Sequence, residues 1–134
     1  MSRRIHLSLA LLIVGIFVIA CGSTHALSVR MTQANNGSQI TLHPGDTLDV
    51  ALVGNPTTGY TWEVRPGAEA VLTQKSAPEF KADSTRIGAG GMMTFRFECV
   101  AAGAVTLLLI YHRSFESGVA PLKTFAIKVN AVKK

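Results

Sequence analysis

Cysteine is scarce in this chain: Cys21 and Cys99 are the only two in 134 residues. No framework of several disulfides can be drawn from them, so folding must rest on a buried apolar core. Histidine is nearly as sparse, and His6, His25, His43 and His112 have no spacing that forms a metal site. The eight carboxylates are scattered singly, so no acid/base pair stands out. There is no His-Glu-x-x-His, no Gly-x-Ser-x-Gly, no Cys-x-x-Cys and no glycine-rich loop opening onto a helix to cradle a phosphate. Internal repeats, low-complexity tracts, interdomain linkers and helical periodicity of useful length are also missing. These gaps give no support to an enzyme and call for no metal or other cofactor. Beyond the N-terminal Arg3-Arg4, the basic residues show no run or stripe other than Lys133-Lys134, which argues against a nucleic-acid partner.

What is present begins with an export signal. Arg3 and Arg4 precede an apolar run from Leu7 to Ala20, shorter than the ~20 residues a membrane span needs. Val18-Ile19-Ala20-Cys21 has the form of a bacterial lipobox, which would make Cys21 the lipid-bearing first residue of the mature chain. Thr24-His25-Ala26 offers ordinary signal cleavage as the alternative. The lipobox is favoured because Cys21 directly follows the apolar run, with Gly22 and Ser23 behind it. Ser2-Arg3-Arg4 is only a faint twin-arginine signal, and the apolar core argues against that route. The expected organisation is a signal peptide over 1–20, a short tether over 21–26 and one domain over 27–134, held as a lipoprotein in a bacterial envelope or free in the periplasm. Removing 20 of 134 residues leaves 114, enough for one domain. Losing Arg3 and Arg4 lowers the formal charge from +5 to +3.

The mature segment reads as strands. Leu27, Val29 and Met31 alternate with polar residues. Ile40 and Leu42 begin a second strand that breaks at His43-Pro44-Gly45-Asp46 and resumes at Leu48, Val50 and Leu52. Tyr60, Trp62 and Val64 share one face, with Trp62 read as core and not as a ligand contact. Residues 66–91 are the least regular, with short strands around Val71 and Phe80 at most. Long strands follow at 92–100 and 104–112, and a last one at 124–132. Val105–Ile110 is apolar on both faces, as a strand inside a sheet requires. Cys99 follows Met93, Phe95 and Phe97 at period two, so it belongs to the core more naturally than to a nucleophilic site. Short strands, regular turns and no helices predict an all-β, immunoglobulin-like antiparallel β-sandwich.

Three loops stand out. Asn55-Pro56-Thr57-Thr58-Gly59-Tyr60 is stiff: Pro56 fixes its own φ and drives Asn55 out of the helical region, while Gly59 supplies a positive φ. Such a tip suits binding, though it also suits a plain connector. Gly88-Ala89-Gly90-Gly91 lets the backbone pass close to another surface. His112-Arg113-Ser114-Phe115-Glu116 puts an arginine and an aromatic on a third tip. His112, Arg113 and Glu116 could be imagined as catalytic, but a solvated loop is the commoner explanation. In a sandwich, alternate connections lie at the same end, so the three loops should sit side by side.

On these motifs the chain resembles the chagasin-like family of cysteine-peptidase inhibitors. That family carries Asn-Pro-Thr-Thr-Gly-Tyr, Gly-x-Gly-Gly and Arg-Pro-Trp/Phe on three such loops. The first is complete over Asn55–Tyr60 and the second over Gly88–Gly91; in the third Ser114 replaces the proline. The resemblance implies a monomer that inhibits papain-like peptidases tightly and reversibly. Pro56, Thr57, Thr58 and Gly59, flanked by Asn55 and Tyr60, would enter the cleft. Gly88, Gly90 and Gly91 would lie along one flank, and Arg113 and Phe115 would pack on the other. An envelope-attached immunoglobulin-like module with a non-peptidase partner is the alternative.

Overall fold

The computed structural model describes residues 25–134. The signal segment, the Cys21 junction and most of the tether lie outside the described residues. Nine strands form two packed sheets: β1 Ser28–Thr32, β2 Gln39–Leu42, β3 Thr47–Gly54, β4 Tyr60–Val64, β5 Leu72–Gln74, β6 Glu79–Ala82, β7 Gly91–Cys99, β8 Gly103–Arg113 and β9 Lys123–Ala131. One sheet runs β1-β3-β7-β5, with β6 also on β7; the other runs β2-β9-β8-β4. The chain is a β-sandwich, as its alternation predicts. Single 3₁₀ turns at Gln33–Asn35 and Pro56–Thr58 are the helical elements among the described residues.

Period two does the building. Met93, Phe95, Phe97 and Cys99 of β7 are buried, while Thr94, Arg96 and Glu98 face outward. They meet Leu107, Leu109, Phe125, Ile127 and Val129 from the opposing sheet, and Trp62 joins them at 3% exposure. Burying an aliphatic or aromatic side chain of this size contributes about 1.5–3 kcal/mol. Cys99 is fully enclosed, and burial pushes its thiol up from its ordinary value, so it is a packing residue and not a nucleophile. The doubly apolar β8 lies between β9 and β4, as an interior strand should.

Two pairings depart from the antiparallel expectation. β1 lies parallel to β3, and β2 parallel to β9. The segment expected as one interrupted strand is in fact two strands in different sheets. Consecutive parallel neighbours cannot be joined by a tight hairpin. Here the chain arches from β1 across to β2 and back to β3, so β3 returns beside β1 in the same direction.

The second crossing is made at Pro44-Gly45, where Gly45 takes φ +96°. Asp46, 2% exposed, locks it: its carboxylate accepts the N–H groups of His43 and Leu27, each at 2.8 Å.

These directions fix the two poles of the molecule. β3 and β8 end, and β4 and β7 begin, at one pole, where Gly54 pairs with Gly91 and Tyr60 with Arg113. The connections β3–β4 (55–59), β6–β7 (83–90) and β8–β9 (114–122) therefore emerge together. Leu27, before β1, and Lys133-Lys134, after β9, lie at the opposite pole.

Candidate functional site

Asn55 organises the first loop. It is the extended residue capping the Pro56–Thr58 turn, at φ −141°, and Gly59 ends the turn at φ +80°. Both conformations were legible from the proline and the glycine. Every polar group of Asn55 is engaged. Its side-chain oxygen accepts from the Thr57 N–H (3.2 Å) and the Thr57 hydroxyl (2.5 Å). Its carbonyl accepts from the Thr58 hydroxyl at 2.7 Å and the Thr58 N–H at 3.2 Å. Its own N–H donates to the Tyr111 hydroxyl at 2.9 Å. The threonine hydroxyls thus fold inward and stiffen the loop, leaving Pro56 and the two threonines exposed at the tip.

The other two loops are tied to this one. The Asn55 side-chain amide donates to the Gly88 carbonyl at 3.0 Å, joining the first loop to the second. Gly90 runs past the base of the first loop, where a β-carbon would stand 3.5 Å from the Gly54 carbonyl. Gly91 is different. It is buried in β7, and a β-carbon there would collide with the Lys81 carbonyl of β6, so its missing side chain serves the chain's own strand pairing.

On the other flank, the Arg113 guanidinium lies 4.5 Å from the centre of the Tyr60 ring and reaches the Thr58 carbonyl at 3.4 Å. Glu116 holds its far side at 3.1 Å. Phe115 rests against Gly59 and is still 72% exposed.

The residues picked out in the sequence therefore converge on one edge, with Gly91 turned to an internal task. Tyr60 is half-buried and acts as a prop, stacked on Tyr111 at 5.4 Å beneath Arg113. His112 pairs with Glu63 at 2.8 Å while Arg113 pairs with Glu116, so the three residues imagined as catalytic form two separate pairs and no hydrogen-bonded triad. Sequence reading passed over Tyr111. A signal existed, because it continues the inward phase of Leu107 and Leu109, and an inward tyrosine needs a partner for its hydroxyl.

Among the described residues no group of three His, Cys, Asp or Glu could hold a metal ion. A hollow of about 210 Å³ lies between the sheets beside Val64, Ala68, Leu72 and Phe97, away from the loops. The loop edge presents the stiffened, exposed Pro56–Thr58 tip, with Arg113 and the bare ring of Phe115 beside it. A stiff, exposed tip of this kind is suited to filling a cleft.

Comparison with known proteins agrees. Residues 41–129, which span all three loops, match the family model for Chagasin family peptidase inhibitor I42. Chagasin from Trypanosoma cruzi is 30% identical over 110 residues, covering 78% of this chain and 99% of that protein. The crystal structure of the cysteine protease inhibitor EhICP2 from Entamoeba histolytica superposes with a TM-score of 0.73 at 22% identity, covering 81% of this chain and 98% of that one. PbICP-C, solved in complex with falcipain-2, shares the fold with a TM-score of 0.52 at 19% identity, over 83% of this chain and 95% of that one. The chain belongs to the chagasin family of peptidase inhibitors, a family of inhibitors and not of enzymes.

Proposed function

We propose that this protein is a tight-binding, reversible inhibitor of papain-like cysteine peptidases that presents its three loops to the active-site cleft. The observation that carries the reading is the Asn55 network, which holds an exposed Pro56–Thr58 tip rigid between two flanking loops. A preorganised wedge loses little conformational entropy on docking, which is where flexible loops forfeit affinity. Pro56, Thr57, Thr58 and Gly59 fill the cleft above the catalytic thiol. Gly88 and Gly90 allow close backbone approach along one flank, and Phe115 gives the other flank an aromatic anchor. Cleavage is avoided because the tip is a closed 3₁₀ turn, not the extended strand that places a scissile carbonyl for attack. Titration of active papain with the purified protein tests this. A folded protein that leaves papain untouched would favour a binding module for another partner.

We also propose that the domain works as a monomer, tethered to a bacterial envelope through lipid on Cys21. The basis is the Val18-Ile19-Ala20-Cys21 junction. The position of Leu27 at the pole opposite the loops supports the arrangement, since a tether entering there leaves the wedge free to meet an enzyme.

A further inference from the structure

The end of β3 is gripped from the opposite sheet. The Trp62 indole N–H on β4 donates to the Val53 carbonyl at 2.9 Å, and two residues on the Tyr111 hydroxyl of β8 receives the Asn55 N–H at 2.9 Å. Between these bonds lies Gly54, where a β-carbon would stand 3.4 Å from the Trp62 ring and 3.5 Å from the Tyr111 ring. The two rings sit 5.1 Å apart, and Tyr60, also on β4, stacks on Tyr111 at 5.4 Å. The root of the first loop is thus clamped across the sandwich and not only along its own strand. Both aromatic groups are nearly enclosed, with Tyr111 6% and Trp62 3% exposed. Water therefore competes poorly for these bonds.

Resting on the inhibitory reading above, we infer that Tyr111 is a positioning residue: its hydroxyl sets the fraction of molecules whose first loop is ready to dock. It touches no enzyme in this scheme and acts through Asn55. Removing the hydroxyl leaves the ring and the core in place but frees the Asn55 N–H, so the loop samples other conformations. When only a fraction of molecules is competent, apparent affinity falls by that fraction, and the loss appears in association and not in dissociation.

The test compares Tyr111→Phe with Val129→Ala, a fully buried position toward the opposite pole. Association and dissociation rates with papain are measured for both variants. Amide hydrogen exchange of Thr58 and Gly59, the turn's own donors, is followed beside that of Leu107 in the core. Tyr111→Phe is expected to slow association, by up to about five- to tenfold, with dissociation nearly unchanged; one neutral hydrogen bond sets that ceiling. Thr58 and Gly59 should exchange faster relative to Leu107. Val129→Ala should lose stability yet associate as the parent does. An unchanged association rate in Tyr111→Phe, or an equal drop in Val129→Ala, would overturn the inference. If the parent fails to inhibit, that counts against the inhibitory reading; unchanged Thr58 and Gly59 exchange in Tyr111→Phe counts against the clamp itself.

Discussion

The side-chain amide of Asn55 donates to the backbone carbonyl of Gly88 across 33 residues of sequence, so the first and second loops form one surface. The same side chain caps the Pro56–Thr58 turn through its oxygen. Its two ends therefore do separable jobs, and one substitution distinguishes them.

Asn55→Asp keeps the capping oxygens, and aspartate is as good a cap as asparagine. It removes the donor to Gly88 and sets a carboxylate against that carbonyl. Folding stability should change by about 1 kcal/mol or less, while the inhibition constant rises about tenfold. Asn55→Ala, which loses both jobs, should be worse on both counts. Urea unfolding and inhibition constants for the two variants check the ranking.

Phe115 is mostly exposed, so truncating it should barely affect folding. An aromatic anchor that becomes desolvated on docking is worth about 2 kcal/mol or more, roughly thirtyfold in affinity. Phe115→Ala should therefore inhibit far more weakly with an almost unchanged melting temperature. Ser114→Pro, which restores the family's proline, should tighten inhibition only about two- to fivefold by lowering the entropy of the free loop. A Phe115→Ala variant as potent as the parent would remove the third loop from the mechanism.

Asp46 gives the fold an acid-side weakness. The Leu27 and His43 N–H groups hold its carboxyl below the ordinary value, and the nearby charges of His43 and Lys134 assist. A depressed folded pKa contributes stability above the unfolded value of about 3.9, and that stability is lost as pH falls through the folded pKa. The parent should therefore lose stability below about pH 4. Asp46→Asn should start less stable at neutral pH and show a shallower decline there. Melting temperatures of both proteins between pH 7 and pH 3 test this. Parallel curves would mean that Asp46 contributes nothing to the acid limb.

Lipidation of Cys21 predicts a native N-terminus heavier than its peptide by several acyl chains, because a single chain anchors only weakly. Mass spectrometry of the protein from its own membranes reads this directly. An unmodified terminus at Leu27 would rule the anchor out.

The strands and the loops were legible in the chain because both are local. Period two placed Phe95, Phe97 and Cys99 inside, and Pro56 with Gly59 specified their own backbone angles. The sheet assignment of β2 was not legible. Whether His43–Asp46 breaks a strand or carries it to the other sheet depends on Asp46 meeting Leu27, a contact spanning 19 residues. The Tyr111 clamp was hidden for the same reason, since its partner Asn55 lies 56 residues away, whereas the inward threonine hydroxyls bond Asn55 locally. An inward tyrosine announces a hydroxyl in need of a partner, but that partner is set by whichever loop the other sheet brings near. Gly91 shows the converse: a motif glycine that the fold itself demands through Lys81, whatever the loop edge binds.

Titration of active papain with the purified protein tests the central claim most directly. With papain well above the dissociation constant, residual activity should fall linearly to zero at equimolar inhibitor. Activity should return on dilution, and the inhibitor should remain uncleaved on a gel. Full activity in the presence of excess folded protein, or progressive cutting at the Pro56–Gly59 tip, would contradict the account.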